Sequence, residues 1–151
     1  TLRLVGEHRE IKPGLFAIAQ EPKYMGMNLM DPPTVEGWHT GGEWIDSGTL
    51  VERINFVADM VGKTDLPGVQ SIINRLMAEG ETLSSEQLVY GCLNLMGAVE
   101  VHEGTRGQLL EYARRMGGTL RHGNEAERID FGRRVAEMLQ MIVSTAEYQF
   151  A

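Results

Sequence analysis

The sequence predicts an all-α fold: a compact bundle of about five to six amphipathic helices interrupted by one long Pro/Gly/Trp-rich loop. Three observations carry this expectation. Apolar residues recur at helical spacing in segment after segment, and the period-two alternation of β-branched residues that marks strands is almost absent. Ser, Thr or Pro precedes most of the apolar stripes and Gly follows them, as helix starts and stops require.

The elements follow in chain order. A short helix is expected over Thr1 to Gly6, and a second from Pro13, whose fixed φ and missing donor suit a first helical turn, up to a limit at Pro22. Between Pro22 and Ser47 the chain holds Gly26, Pro32, Pro33, Gly37, Gly41 and Gly42, too many breakers for regular structure. Ser47 or Thr49 then caps a helix to about Gly62, with Leu50, Ile54, Val57 and Val61 on one face. Pro67 opens the next, where Val69, Ile72, Ile73, Leu76 and Met77 form a stripe ended by Gly80. Thr82 or Ser84 caps a helix carrying Leu88, Cys92, Leu95 and Met96 to Gly97. Thr105 starts another with Leu109, Leu110, Ala113 and Met116, closed by Gly117 and Gly118. The last and longest begins near Asn124, presents Val135, Met138, Leu139, Ile142 and Ala146, and reaches Tyr148 or Phe150. Each helix has one apolar and one polar face, so none is stable alone and all must pack on one another.

The 151 residues suit a single domain, 1–151, with one continuous core. The chain begins at Thr1 with no initiator Met and no signal-like segment, which leads to the expectation that it starts inside a longer polypeptide or after a processing cut. Its apolar runs are far shorter than the roughly 20 residues that cross a bilayer, so no membrane span is expected. With 21 acidic against 14 basic residues the net charge is -7, which repels phosphate backbones and argues against nucleic acid as a partner. The single cysteine, Cys92, excludes an intrachain disulfide and a thiolate metal cluster; lying among Leu88, Val89, Leu93, Leu95 and Met96, it reads as a buried, inert thiol. Nine methionines, several on apolar stripes, read as pliable core filler, with an adaptable binding groove as the other reading.

The most distinctive segment is MGMNLMDPPTVEGWHTGGEWIDSGTLVERINF, from Met25 to Phe56. Met25, Gly26, Pro32, Pro33, Val35, Gly37, Trp38, Gly42, Trp44, Ile45, Thr49, Leu50, Arg53 and Phe56 together resemble the C-terminal signature of the bacterial domain of unknown function family 1800. The ending MIVSTAEYQFA resembles that family's usual end, a helix finishing in a Ser, acidic, aromatic, Gln pattern. The resemblance implies a large, mainly helical bacterial protein with no assigned activity. Many members carry export signals, which implies the cell envelope or the exterior, and their genes often neighbour a family similar to sulfatases and alkaline phosphatases. His39 departs from the family pattern, where Pro, Asp or another small polar residue is commoner.

Physical reasons for the motif stand beside the resemblance. Pro32 and Pro33 force extended geometry on the residues before them, and Gly37, Gly41 and Gly42 let the chain reverse so that Trp38 and Trp44 approach each other. Arg53, at the edge of the Leu50/Ile54/Val57 stripe, is placed to lay its guanidinium on an indole or to hold a loop carboxylate such as Asp46. This reads as a structural clasp, or alternatively as an exposed indole platform for a sugar or a protein. The candidate binding loop is therefore Trp38, His39, Glu43, Trp44 and Arg53.

Signals for chemistry are weak. His8, His39, His102 and His122 show no metal spacing, and His39 with Glu36, Glu43 and Asp46 is the one local cluster of potential ligands. No nucleophile elbow surrounds any serine, and the Gly-rich runs lack the strand-then-helix context of phosphate loops. The run RRMGGTLRHGN, with Arg114, Arg115, Arg121 and His122, is the locally basic patch, read as a solvated helix end ahead of an anion site. The expectation is a non-catalytic helical module without catalytic residues, metal or cofactor, packing on the rest of its parent chain or on a protein partner. The alternative is a hydrolase or carbohydrate-acting subunit with its site at the Asp31–Asp46 loop.

Overall fold

The computed structural model of the protein describes residues 15–26, 31–32, 34–37, 47–97 and 99–150. They form seven helices: α1 (Leu15–Tyr24), α2 (Ser47–Gly62), α3 (Pro67–Met77), α4 (Ser85–Met96), α5 (Glu103–Arg115), α6 (Glu125–Val143) and α7 (Ala146–Gln149). Two short strands, β1 (Thr82–Leu83) and β2 (Leu120–Arg121), pair antiparallel with Leu83 opposite Leu120. Mostly helical architecture thus holds, with the ladder added where the sequence placed no strand. Leu83 and Leu120 are both buried, so the ladder turns two core leucines inward while closing the ends of the loops that carry them.

Helix starts follow local chemistry. At α4, Ser84 is the cap rather than Thr82: its hydroxyl accepts from the Gln87 N–H at 3.2 Å, and the Gln87 amide oxygen accepts from the Ser84 N–H at 2.8 Å. Asn124 caps α6 by accepting from the Glu127 N–H at 2.9 Å, while the Glu127 carboxylate accepts from the Gly123 N–H at 2.8 Å. Pro67 occupies the first turn of α3, where its missing donor goes unnoticed.

Other boundaries move. The helix expected over Thr1 to Gly6 and the start at Pro13 lie outside the described residues. Pro22 falls inside α1 rather than ending it, and the chain leaves two residues after Tyr24 through Gly26, at φ 88. Helix α5 starts at Glu103, ahead of Thr105, because Glu147 from the other end of the chain supplies the capping acceptor described below. The last helix is broken at Ser144 and Thr145. The hydroxyls of these two residues donate to the carbonyls of Gln140 and Ile142, each at 2.7 Å, and Thr145 then caps the short α7.

Helix α6 is central: α2, α3, α4, α5 and α7 all pack on it. Its stripe of Phe131, Val135, Met138, Leu139 and Ile142 is fully buried and meets Val61 of α2, Val69 and Leu76 of α3, Leu88 and Cys92 of α4, and Leu109 and Ala113 of α5 in one core. Met60 and Met138 are core residues, whereas Met77, Met96 and Met116 straddle the core edge, so these five serve as adaptable filler, while Met141 is exposed. Two glycines set close approaches. A Cβ at Gly91 would stand 2.4 Å from the Leu76 side chain, and one at Gly62 would run into the Gln140 amide, which donates to the Ala58 carbonyl at 3.0 Å. Among the described residues, no helix is long and apolar enough to cross a membrane.

Candidate functional site

Two features stand out: a knot at the chain end and a groove along α6. In the knot, Gln149 is buried, donates from its amide to the Val143 carbonyl at 2.7 Å, and offers its own carbonyl to the guanidinium of Arg53 at 3.1 Å. Two residues earlier, the Glu147 carboxylate accepts from the Thr105 hydroxyl at 2.7 Å and from the His102 N–H at 3.1 Å. These contacts cap α5, whose own cap residue His102 makes no capping hydrogen bond with its side chain. The Thr105 hydroxyl, then the backbone N–H groups of Glu147 and His102, hold the Glu147 carboxyl below its usual range. The short α7 therefore ties α2 and α5 to the end of α6.

The groove has a volume of about 640 Å3 and runs between α3 and α6, with Gly62 at the end of α2 and Thr64 just beyond it also in its lining. Ile73, Gly132 and Ala136 line its floor, where Ile73 packs beside Gly132: a Cβ there would be 3.6 Å from the Ile73 Cδ1, an ordinary contact distance. Ile129 stands at its lip with 67% of its surface exposed, unusual for a side chain of that size. Gln70, Asn74, Arg128, Arg133, Glu137 and Gln140 make the polar surround. Arg133 is tied to Asp130 at 2.5 Å and to Glu137 at 2.6 Å, and these contacts, the Asp130 hydrogen bond foremost, push its pKa up. Arg128 donates from Nε to the His122 carbonyl at 3.3 Å. Glu137 is the one carboxylate among the lining residues, with no nucleophile and base paired beside it. Such an arrangement can receive an apolar side chain and hydrogen-bond the atoms around it.

Of the site residues expected from sequence, Arg53 is described, and it reaches the Gln149 carbonyl. Trp38, His39, Glu43 and Trp44, and with them Asp46, lie outside the described residues. Glu36 is exposed in a tight turn in which Gly37 donates to the Thr34 carbonyl at 3.0 Å. Arg53 nonetheless joins the two stretches of sequence that carry the family resemblance, the Met25–Phe56 segment and the chain end. His122 packs T-shaped on Phe131 and bonds the Gly80 carbonyl at 2.8 Å, a structural contact that pins the β1 and β2 loops together. Cys92 is fully buried, and desolvation, with a smaller push from Glu79, drives its thiol pKa upward and away from reactivity. Among the described residues, no group of three or more His, Cys, Asp or Glu is placed to hold a metal ion.

Sequence reading missed the groove. Ile129 falls off the α6 stripe, and Gly132 sits inside a 19-residue helix, where a glycine is unfavourable by up to about 1 kcal/mol relative to Ala. An off-stripe isoleucine three residues before a mid-helix glycine was the available signal.

No curated protein and no solved structure matches the chain. One family does match, described as "Protein of unknown function (DUF1800)", and its sequence model spans residues 2–150. The match covers both the Met25–Phe56 segment and the STAEYQF ending that the Arg53–Gln149 contact brings together, and the chain belongs to that family.

Proposed function

We propose that the chain is a non-catalytic docking module, whose α3/α6 groove holds a segment of the rest of its parent polypeptide or of a protein partner. One observation carries the reading: Ile129 is held in solvent at the lip of a groove floored by Ile73, Gly132 and Ala136 and surrounded by amides and paired charges. An apolar floor within a polar surround is the anatomy of a surface that receives a protein side chain. The groove's carboxylate, Glu137, is engaged by Arg133, which favours recognition over proton transfer.

Isoleucine methyl NMR tests this directly. The Ile129 and Ile73 δ1-methyl signals are compared in the isolated chain and in the longer polypeptide proposed to carry it. The expected result is a shift of both signals and loss of Ile129 contact with a soluble paramagnetic probe. Signals that coincide in the two samples, with the probe still reaching Ile129, would overturn the proposal.

A further inference from the structure

The α6 arginine that faces inward has a charge its surroundings do not match. The Arg134 side chain is 7% exposed, next in sequence to the buried Val135 and Ala136. A guanidinium stays protonated under all ordinary conditions, so once buried it needs acceptors for its N–H groups. Its ion partner is Asp130, with Oδ2 at 3.8 Å from Nη1, too long for a hydrogen bond. The Asp130 Oδ1 is already engaged by Arg133 at 2.5 Å. The Arg134 Nε and Nη2 are buried and hydrogen-bond to no protein group among the described residues.

The identity of these two nitrogens matters. Nε and Nη2 share one edge of the guanidinium, with N–H bonds pointing in parallel, and that edge is the fork by which arginine grips two oxygens of a carboxylate or phosphate at once. The turn between α5 and β2 lies against the Nη2 end of that edge. A Cβ at Gly117 would stand 3.3 Å from Nη2, 3.8 Å from Cζ and 3.9 Å from Nη1, so a side chain there would crowd the guanidinium. Gly117 and Gly118 both have positive φ, at 110 and 69. Two long hydrogen bonds hold the turn: the Gly117 N–H to the Arg114 carbonyl at 3.2 Å, and the Ser85 hydroxyl to the Gly118 carbonyl at 3.4 Å. This is the RRMGGTLRHGN run, whose basic character the groove does not use.

We propose that Arg134 and the Gly117–Gly118 turn form an oxyanion site, which takes a carboxylate or phosphate group side-on to Nε and Nη2 when the glycine turn lifts. The turn must move because both nitrogens are covered, and two glycines held by long hydrogen bonds are the segment best able to do so. The site is separate from the docking groove, which Arg134 does not line.

The test titrates the protein with sodium phosphate and, separately, sodium acetate, each against sodium chloride at matched ionic strength. Two quantities are followed: the Arg134 Nε–H signal by 15N NMR and the thermal midpoint. The expected result is a saturable shift of that signal with one oxyanion and not with chloride, and a midpoint rise along the same curve that Arg134→Met abolishes. Saturation by phosphate alone names a phosphate ligand; saturation by acetate alone names a carboxylate, and a short peptide ending in a free carboxylate should then compete. The proposal fails if the Nε–H signal responds to neither salt. It fails equally if the midpoint rises as much in Arg134→Met, which is the general effect of salts excluded from protein surfaces. Half-saturation weaker than ~10 mM would mark an adventitious ion only and also overturn it. Should Arg134→Met not fold, the Nε–H titration of the unaltered protein decides alone.

Discussion

Arg53 donates from Nη2 to the main-chain carbonyl of Gln149 at 3.1 Å, joining positions 96 residues apart. The bond fastens the last helical turn to α2, and Gln149 is itself held by its amide on the Val143 carbonyl. Arg53→Lys keeps the charge but gives up the planar donor, so it should lower stability in chemical denaturation by about 1 to 2 kcal/mol. Gln149→Ala leaves the Val143 carbonyl buried without that donor and should lower it by about 1 to 3 kcal/mol. Because both changes loosen one contact, the double variant should fall short of the sum of the two. Full additivity would show that they act independently.

Glu147 links the chain end to α5 and gives the fold an acid-sensitive point. Its folded pKa lies below the ordinary 4.5, chiefly through the Thr105 hydroxyl. The stability it contributes is therefore present above pH 4.5 and lost as pH falls through the lower folded value. Glu147→Gln should show a shallower decline of stability between neutral and acid pH than the parent. Parallel pH profiles for the two proteins would refute the assignment.

Cys92 makes the opposite case, at alkaline pH. Burial raises its folded pKa above the ordinary 9.0, so the unfolded chain ionises first. Its contribution is intact below pH 9.0 and declines above it by about 1.4 kcal/mol per pH unit. The difference in stability between the parent and Cys92→Ala should show this slope, since other groups that titrate there are common to both. A thiol reagent should label Cys92 only after denaturant is added; rapid labelling of the native protein would place the thiol at the surface.

How far the sequence predicts this structure depends on how local the cause is. The stripes Val69/Ile72/Ile73/Leu76 and Val135/Met138/Leu139/Ile142 are buried as their spacing implies, because the period of an α-helix is a local property. The capping of α6 by Asn124 was equally legible. The pairing of Leu83 with Leu120 was not: two-residue strands carry no alternation, and their partner lies in a distant loop. The start of α5 was missed for the same reason, since its capping acceptor comes from Glu147. Arg53 was recognisable as a residue that holds something, but sequence offered the nearby Asp46 and indoles as partners, whereas its described acceptor is a carbonyl at the far end of the chain. Phe131 joins the core in addition to the stripe read from sequence, and the groove beside it is lined by Ile129 and Gly132, whose meaning appears only once α3 is packed alongside.

Exposure of Ile129 should make it dispensable for folding. Ile129→Asp, at a side chain 67% exposed, is expected to change stability by no more than about 0.5 kcal/mol, as surface substitutions generally do. The same change should abolish the methyl shift of Ile73 on docking, because a carboxylate at the lip would have to be desolvated when a partner covers it. A large loss of stability in the isolated chain would show that Ile129 is already part of the core.

Two glycine-to-alanine changes should have opposite signs for a reason that helix propensity alone does not contain. Both Gly91 in α4 and Gly107 in α5 lie inside helices, where alanine is favoured by up to about 1 kcal/mol. At Gly107 an added Cβ would meet nothing within 4 Å, so Gly107→Ala should realise most of that gain. At Gly91 the Cβ would stand 2.4 Å from the Cδ2 of Leu76, a side chain with no solvent exposure and core neighbours around it. Leu76 would have to leave its rotamer or α3 would have to shift, and overpacking of this kind typically opposes folding by about 1 to 3 kcal/mol. Gly91→Ala should therefore lower the denaturation midpoint while Gly107→Ala raises it. If both variants were stabilised alike, α3 and α4 would have to lie farther apart than the Gly91–Leu76 approach allows.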